Sequence, residues 1–175
     1  MKSKYILNNA IYTESPNCDQ RPNDSVVDTI VIHCISLPEK VYDNDNVIDF
    51  FTNKLKYNEH SSFDSLRNLN VSSHIFIRRT GKVIQFVPFN KRAWHAGESH
   101  YEGRSNFNDF SIGIEMEGSI DDIYTNNQYK ELKEIILNLK ELYPSIKDSN
   151  IIGHSDIAPG RKTDPGENFL WNRVI

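Results

Sequence analysis

The chain has 175 residues, 38% of them hydrophobic and 11% aromatic, which is enough to bury one core and few for two. Its formal net charge is −4 and its lysines and arginines are dispersed, which excludes the basic stripe of a nucleic-acid-binding protein. No stretch approaches the roughly 18 apolar residues of a membrane span. From these totals we expect one domain over residues 1–175 that contacts neither nucleic acid nor membrane. We also expect the protein to be a monomer.

The N-terminal segment and the cysteines bear on the cellular compartment. The segment turns largely polar after Ile6 and Leu7, and it lacks the continuous apolar stretch and the small-residue cleavage site of a secretory signal. Cys18 and Cys34 form no CxxC pair, which favours free thiols in a reducing compartment while leaving a disulfide open. We expect a cytoplasmic protein, although release without a conventional signal, for instance by phage lysis, is consistent with the same sequence.

The first predicted elements are a strand and a short helix. Residues 29–35 form an apolar, β-branched run that is typical of a strand buried on both faces. Residues 46–55 carry apolar side chains at helical spacing after an Asp/Asn cluster, which indicates a short amphipathic helix. Residues 53–73 are polar and nearly aperiodic, and we interpret them as a long surface excursion.

Three more strands are predicted in the middle of the chain. Residues 74–79 and 82–87 are separated by Thr80-Gly81, a composition that suits a tight hairpin turn. Residues 110–117 alternate apolar with polar or small side chains, which indicates a strand with Glu115 near its exit.

The clearest helix signal follows. Thr125 and Gln128 form a capping box, and an apolar stripe at helical spacing runs from Tyr129 to the turn before Pro144. Ile151-Ile152 opens a last short strand, after which the density of Gly and Pro indicates a loop. These elements predict an α/β fold in which a mixed central β-sheet is flanked by helices, with the chemistry on strand ends and adjoining loops.

Two histidines and an aspartate have the pattern of a metal site. His33 and His154 each follow a short apolar, β-branched run, so both can lie at the same edge of one sheet. Asp164 stands ten residues after His154 in a Gly/Pro-rich loop and can bend back as a third ligand. Two imidazoles, one carboxylate and a position for water are the pattern of catalytic zinc. Taken singly, a histidine beside a strand is more often an ordinary hydrogen-bonded group, and Asp before Pro-Gly is common turn chemistry.

Four segments of the chain carry a family resemblance. They are IVIHCISLP, SSHIFIRRTGKVIQFVPFNKRAWHAG, NDFSIGIEMEG and GHSDIAPGRKTDPG, which together span residues 30 to 166. In these segments the sequence resembles the zinc-dependent N-acetylmuramoyl-L-alanine amidases of the type 2 family, and within it the AmpD-like branch that recycles 1,6-anhydromuropeptides.

The resemblance implies roles for five residues. His33, His154 and Asp164 would hold one zinc ion per chain, Glu115 would be the catalytic carboxylate, and Lys162 would face the scissile carbonyl. Without the resemblance, Glu115 would be interpreted as a solvated charge at a strand edge and Lys162 as a surface cation. Glu117 lies on the same sheet face as Glu115 and is the rival for the role of base.

The resemblance also bears on substrate contacts. Trp94 and His95 are similar to the family's groove wall, where an aromatic face packs on the ligand and the imidazole supplies a hydrogen bond; the alternative is a partly buried pair at a sheet edge. Asn70 and Asn106 align with two arginines that hold stem-peptide carboxylates in the AmpD-like branch. An asparagine cannot form the bidentate charged pair of an arginine, so affinity or peptide preference is expected to differ. Arg104 is a candidate to compensate, as are Arg79 and Arg161.

The resemblance implies zinc-dependent hydrolysis of the amide bond between (1,6-anhydro-)N-acetylmuramic acid and the L-alanine of the stem peptide, in peptidoglycan recycling. Two alternatives stay open. One is an endolysin-like amidase that acts on intact peptidoglycan. The other is a peptidoglycan-binding module without catalysis, whose relatives commonly lose a zinc ligand; all three candidate ligands are present here.

Overall fold

The computed structural model describes residues 3–175. The strands are β1 (Ile11–Tyr12), β2 (Cys18–Gln20), β3 (Thr29–Ile35), β4 (Ile75–Ile77), β5 (Val83–Gln85), β6 (Lys91–Ala93), β7 (His100–Tyr101), β8 (Arg104–Ser105), β9 (Ser111–Glu117) and β10 (Ile151–Gly153). The α-helices are α1 (Asn46–Phe51), α2 (Asn126–Leu142) and α3 (His154–Ile157). Short 3-10 helices cover Ser61–Leu66, Phe107–Asp109, Asp148–Asn150 and Trp171–Arg173.

One six-stranded sheet organises these elements, in the order β1-β5-β4-β9-β3-β10. β9 pairs in parallel with both β3 and β4, and β10 pairs in parallel with β3. β5 runs antiparallel to β4, as the predicted hairpin requires. The expectation of a mixed central sheet flanked by helices is therefore confirmed, and two-stranded ribbons β2-β6 and β7-β8 are added to it.

Helix α2 covers one face of the sheet. Its capping box is formed as predicted, with Thr125 Oγ1 accepting from the Gln128 amide and the Gln128 side chain accepting from the Thr125 amide. The apolar stripe of α2 is buried with side chains of β3 and β9 in the main hydrophobic cluster. Burial of this stripe, rather than helix propensity, holds α2 in place.

The opposite face of the sheet carries α1 and the segment after it. The predicted helix over residues 46–55 ends early, at Phe51, because Asn53 adopts a left-handed conformation with φ +59°. The prediction of a surface excursion over residues 53–73 was wrong in part. A 3-10 helix forms over Ser61–Leu66, and Phe63 is only 1% exposed because it packs with Phe51 and Phe76 in a second apolar cluster.

One smaller difference from the predicted elements concerns the C-terminal segment. The loop expected after Ile152 begins with the one-turn helix α3, whose first residue is His154. Cys18 and Cys34 are free thiols, as expected. Across residues 3–175, every helix is too short or too polar to cross a lipid bilayer.

Candidate active site

Strand register brings the candidate metal ligands and the candidate base together. His33 on β3 lies directly beside Glu115 on β9, and their side chains point to the face opposite α2. Ile32 pairs with Gly153, the last residue of β10, so that His154 begins next to His33. The Ser155 amide donates to the Asp164 carbonyl at 2.9 Å, which returns the Gly/Pro-rich loop to the same point.

Three ligand atoms converge where these segments meet. Nδ1 of His33 lies 2.9 Å from Nδ1 of His154 and 3.2 Å from Oδ2 of Asp164. Nδ1 of His154 lies 3.0 Å from the same oxygen. In a tetrahedral zinc site with bonds of about 2.0–2.1 Å, neighbouring ligand atoms are separated by about 3.3 Å. All three residues are buried, so the donor set, its spacing and its enclosure fit one metal ion.

The electrostatics of this group suit metal binding. Burial lowers the pKa of His33 to about 4, against the opposing effect of Asp164, so the imidazole is neutral near pH 7. Burial acts to raise the pKa of Asp164, but hydrogen bonds to His154 and His33 outweigh it and hold that pKa below its ordinary value. A neutral imidazole and an ionised carboxylate are the forms in which these groups bind a metal.

The surroundings of Glu115 favour the protonated form of its carboxyl group. Its side chain is buried, and its Oε2 atom has no hydrogen-bond partner within residues 3–175. Burial raises its pKa well above the ordinary value; Asp164 adds to the rise and Lys162 opposes it. A raised pKa is the property that a general acid–base carboxylate needs near neutral pH.

Glu117, the rival for the role of base, has a different environment. Its Oε1 accepts from the Asp43 amide at 3.1 Å and its Oε2 accepts from the Arg79 amide at 2.9 Å. The carboxylate thus ties two loops to the end of β9. Glu115 lines the cavity at the metal ligands, whereas Glu117 does not.

The cavity at the candidate metal ligands has a volume of about 320 Å³. Lys162 and Trp94 line it, and Lys162 belongs to the same loop as Asp164. Much of the remaining wall is apolar. Leu37 comes from the loop after β3, Phe50 from α1, and Leu66, Leu69 and Val71 from the segment that follows α1. Burial raises the pKa of Cys34, which also lines the cavity, to about 12, so its thiol stays protonated.

His95 also lines this cavity, and the groove-wall role expected of it stays a prediction. Both of its ring nitrogens are engaged inside the protein: Nδ1 lies 2.9 Å from His33 Nε2 and Nε2 lies 3.2 Å from Ser111 Oγ. His74 is fully buried beneath it and accepts from the Gly113 amide at 3.1 Å.

The structure does not bring the remaining candidate substrate residues to this cavity. Asn70 is exposed and outside the lining, although Leu69 and Val71 on either side belong to it. Asn106 lines a separate cavity of about 630 Å³ together with Arg161. Arg104 pairs with Asp28 at 3.1 Å and lies over the Phe110 ring, so its charge is used elsewhere.

Sequence reasoning missed residues that support the site from behind. The side chains of Asn108 and Ser111 contact His95, which contacts the candidate ligand His33, and the carbonyl of Ala96 contacts the candidate ligand His154. Asn108 lies in a 3-10 turn without periodicity, and no sequence signal marks it. Ser111 opens β9 and is detectable only as a small polar residue in a buried strand.

Comparison with known proteins gives one family. The sequence profile of a family described as N-acetylmuramoyl-L-alanine amidase matches residues 22–167. The chain is 43% identical over 172 residues to 1,6-anhydro-N-acetylmuramyl-L-alanine amidase AmpD of Haemophilus influenzae, covering 98% of this chain and 94% of that protein.

Two solved structures extend the likeness to three dimensions. A crystal structure of a selenomethionine derivative of AmpD superposes with a TM-score of 0.95 at 44% identity, over 99% of this chain and 97% of the other. AmpDh3 of Pseudomonas aeruginosa in complex with an anhydromuramic pentapeptide gives a TM-score of 0.61 at 28% identity, over 99% of this chain and 65% of that one.

Proposed function

This chain belongs to the N-acetylmuramoyl-L-alanine amidase family, and we propose on that premise that it hydrolyses the amide bond between 1,6-anhydro-N-acetylmuramic acid and the L-alanine of its stem peptide. One observation carries the proposal. His33, His154 and Asp164 converge in a cavity that Glu115 and Lys162 also line. A metal-binding group, a buried proton acceptor and a cation at one point are the parts needed for hydrolysis of an unactivated amide.

Zinc is the proposed metal, held by Nδ1 of His33, Nδ1 of His154 and Oδ2 of Asp164. When bound there, zinc lowers the pKa of water to near 7 and polarises the amide carbonyl. The donor set of two imidazoles and one carboxylate favours zinc over the hard cations Mg²⁺ and Ca²⁺, which prefer oxygen ligands.

Glu115 is the proposed general base and acid. Its Oε2, which lacks a hydrogen-bond partner among residues 3–175, accepts the proton of the attacking water and then delivers it to the leaving nitrogen of L-alanine. The raised pKa of Glu115 keeps the protonated form accessible for the second transfer.

Lys162 is proposed to stabilise the charge that forms on the carbonyl oxygen. Its ammonium group carries three donors on an exposed, flexible side chain at the rim of the cavity. Removal of one such donor typically costs about 3 kcal/mol of transition-state stabilisation. Trp94 supplies a flat apolar surface in the same cavity, on which a sugar ring can pack.

The substrate form and the setting of the reaction follow the relatives. AmpD of Haemophilus influenzae is named for the 1,6-anhydro sugar, and AmpDh3 was solved with an anhydromuramic pentapeptide. We therefore propose a soluble anhydromuropeptide as the substrate, within peptidoglycan recycling. The free thiols of Cys18 and Cys34 support the cytoplasm as the compartment, and a single domain acting as a monomer is the proposed organisation.

Mass spectrometry of a synthetic 1,6-anhydro-N-acetylmuramyl tripeptide tests the proposal. The purified protein is expected to release free tripeptide, and a zinc chelator is expected to abolish the release until zinc is restored. Glu115→Gln serves as the matched variant, since the substitution keeps side-chain volume and removes the proton acceptor.

The same preparation distinguishes the alternatives. An endolysin-like amidase would release stem peptides from intact sacculi faster than from the soluble tripeptide. A binding module would retain the tripeptide without cleaving it, with zinc bound. Either result would overturn the proposal.

A further inference from the structure

The two imidazoles of the metal group are both contacted from behind by one dipeptide, His95-Ala96. Nδ1 of each imidazole faces the centre of the group, so the outward nitrogen of each is Nε2. Nε2 of His33 contacts the His95 side chain, and Nε2 of His154 contacts the Ala96 carbonyl. The dipeptide lies in coil after β6 and belongs neither to β3, which carries His33, nor to α3, which begins with His154.

On the His33 side, hydrogen bonds form a directed chain. Nε2 of His33 lies 2.9 Å from Nδ1 of His95, and Nε2 of His95 lies 3.2 Å from Oγ of Ser111. The Ser111 hydroxyl donates to the Phe107 carbonyl at 2.5 Å, and that carbonyl can only accept. Each donor therefore has one acceptor if His33 carries its proton on Nε2, which leaves Nδ1 of His33 as a lone pair toward the metal.

On the His154 side, the partner is a backbone carbonyl. Nε2 of His154 lies 3.1 Å from the Ala96 oxygen, which as an acceptor requires the proton on Nε2. Nη2 of Arg161 donates to the same oxygen at 2.8 Å and fixes its direction. Nδ1 of His154 is thereby also left as a lone pair toward the metal.

The dipeptide itself is fixed by two independent features. Oδ1 of Asn108 accepts from the His95 amide at 3.0 Å and from the Ala96 amide at 2.8 Å. Gly113 on β9 has no Cβ, and an added Cβ would lie 2.4 Å from Cγ of His95. The imidazole of His95 thus occupies the space that a side chain at position 113 would fill.

We propose that His95-Ala96, held by Asn108, is a positioning device for the metal centre: it selects the Nε2-protonated form of both His33 and His154 and fixes their ring orientations. The inference rests on the metal group of the proposed function and adds residues outside the ligand set. Loss of such supporting contacts typically lowers metal affinity about 10–100-fold.

Paired substitutions at His95 test the hydrogen bond separately from packing. His95→Asn retains an acceptor, Oδ1, near the position of Nδ1, whereas His95→Leu has nearly the same size and no acceptor. Zinc affinity is measured by competition with a chromogenic chelator, and Co²⁺ absorption spectra report the ligand geometry. We expect affinity about 10–100-fold weaker in His95→Leu, with an altered Co²⁺ spectrum, and affinity close to that of the parent in His95→Asn. The melting temperature of the metal-free proteins controls for folding.

A second pair tests the other end of the device. Asn108→Asp keeps Oδ1 as the acceptor of both amides, and Asn108→Leu removes it, so only the leucine variant is expected to lose zinc affinity. This pair decides the question if His95→Leu does not fold.

Equal zinc affinity in the leucine and polar variants at both positions would overturn the proposal, as would equal losses within each pair that parallel the loss of stability. Because the readout is metal binding, a protein that binds zinc and fails to cleave the anhydromuropeptide would refute the proposed function alone.

Discussion

Glu115 and Glu117 stand two positions apart on β9 and point to the same side of the sheet, yet their carboxylates meet different surroundings. Glu115 has a buried oxygen that lacks a hydrogen-bond partner among residues 3–175, and its carboxyl interacts with the carboxylate of Asp164. Glu117 accepts hydrogen bonds from two backbone amides. The first arrangement raises the energy of the ionised form, and the second stabilises the loops around it.

Glu115→Gln is expected to remove activity and to stabilise the metal-free protein. Hydrolysis should fall by about 10²–10⁴-fold, since the proton acceptor is lost. Because the pKa of Glu115 in the folded state lies above its ordinary value of 4.5, the carboxyl contributes stability below that value and loses it as the pH rises through the folded-state pKa. The gain in melting temperature of the glutamine variant should therefore grow from pH 4 to pH 8.

Glu117→Gln is the matched control and is expected to behave in the opposite way. The Asp43 and Arg79 amides donate to different oxygens of Glu117, and glutamine replaces one of these oxygens with an NH2 group that can only donate. The variant should lose roughly 1–3 kcal/mol of stability and keep the chemistry where it is folded. A pH-independent gain in Glu115→Gln, or a loss of activity confined to Glu117→Gln, would contradict the assignment of the base.

At the residue scale, the sequence pattern predicts that His33 and His154 lie at one sheet edge, because each follows a short apolar, β-branched run, and the pairing of β3 with β10 brings them together. The role of Glu115 is implied by the family resemblance, and the pairing of β9 with β3 places Glu115 beside His33. The supporting residues His95 and Asn108 act from coil and a 3-10 turn, where no periodicity relates position in the sequence to position in space.

At the scale of elements, the Asn17 side chain links the two ends of the segment between α1 and β4. Nδ2 of Asn17 donates to Oδ1 of Asn53 at 2.9 Å and to the Val71 carbonyl at 2.8 Å, and Nδ2 of Asn53 returns a bond to Asn17 Oδ1 at 3.0 Å. Both ends of the segment are thus held together. Between them lie Leu66 and Leu69, which form part of the cavity wall.

Asn17→Ala is expected to weaken substrate binding more than the chemical step. Loss of the clamp lets the wall of the cavity spread, and a loss of about 1.4 kcal/mol in binding corresponds to a tenfold rise in KM. The turnover number kcat should change little, since the clamp contacts neither Glu115 nor the metal ligands. Steady-state kinetics on the anhydromuropeptide check this, with exposed Asn127→Ala on α2 as the control. A fall in kcat at unchanged KM would contradict it.

The elements that the sequence predicts well are long and strongly patterned. β3, β9 and α2 have seven, seven and seventeen residues. The apolar run of β3, the alternation in β9 and the helical stripe of α2 reflect the faces that each element buries. β1, β2, β6, β7 and β8 have two or three residues each, which is too short for any period to emerge. These short strands form where the completed sheet brings another backbone segment within hydrogen-bonding distance.

At the scale of the whole molecule, metal binding is expected to stabilise the fold, because the ligands join β3 to the segment after β10. At free zinc about 1,000 times its dissociation constant, the stabilisation is about 4 kcal/mol. For a chain of this size that corresponds to a rise in melting temperature of about 8–16 °C. Thermal unfolding with and without zinc measures it, and Asp164→Asn should show a much smaller rise. A comparable rise with Mg²⁺ would contradict the assigned ligand set.

Parallel pairing of β3 with β9 and β10 also determines when the chain becomes competent during its synthesis. Parallel neighbours are joined only by long crossovers, so the three metal ligands are spread from position 33 to position 164. A nascent chain carries His33 from early on, but the proposed metal centre is incomplete until Asp164 has left the ribosome. With His33, His154 and Asp164 as the proposed ligands, incomplete chains of this hydrolase are expected to be inert until the loop after β10 is made.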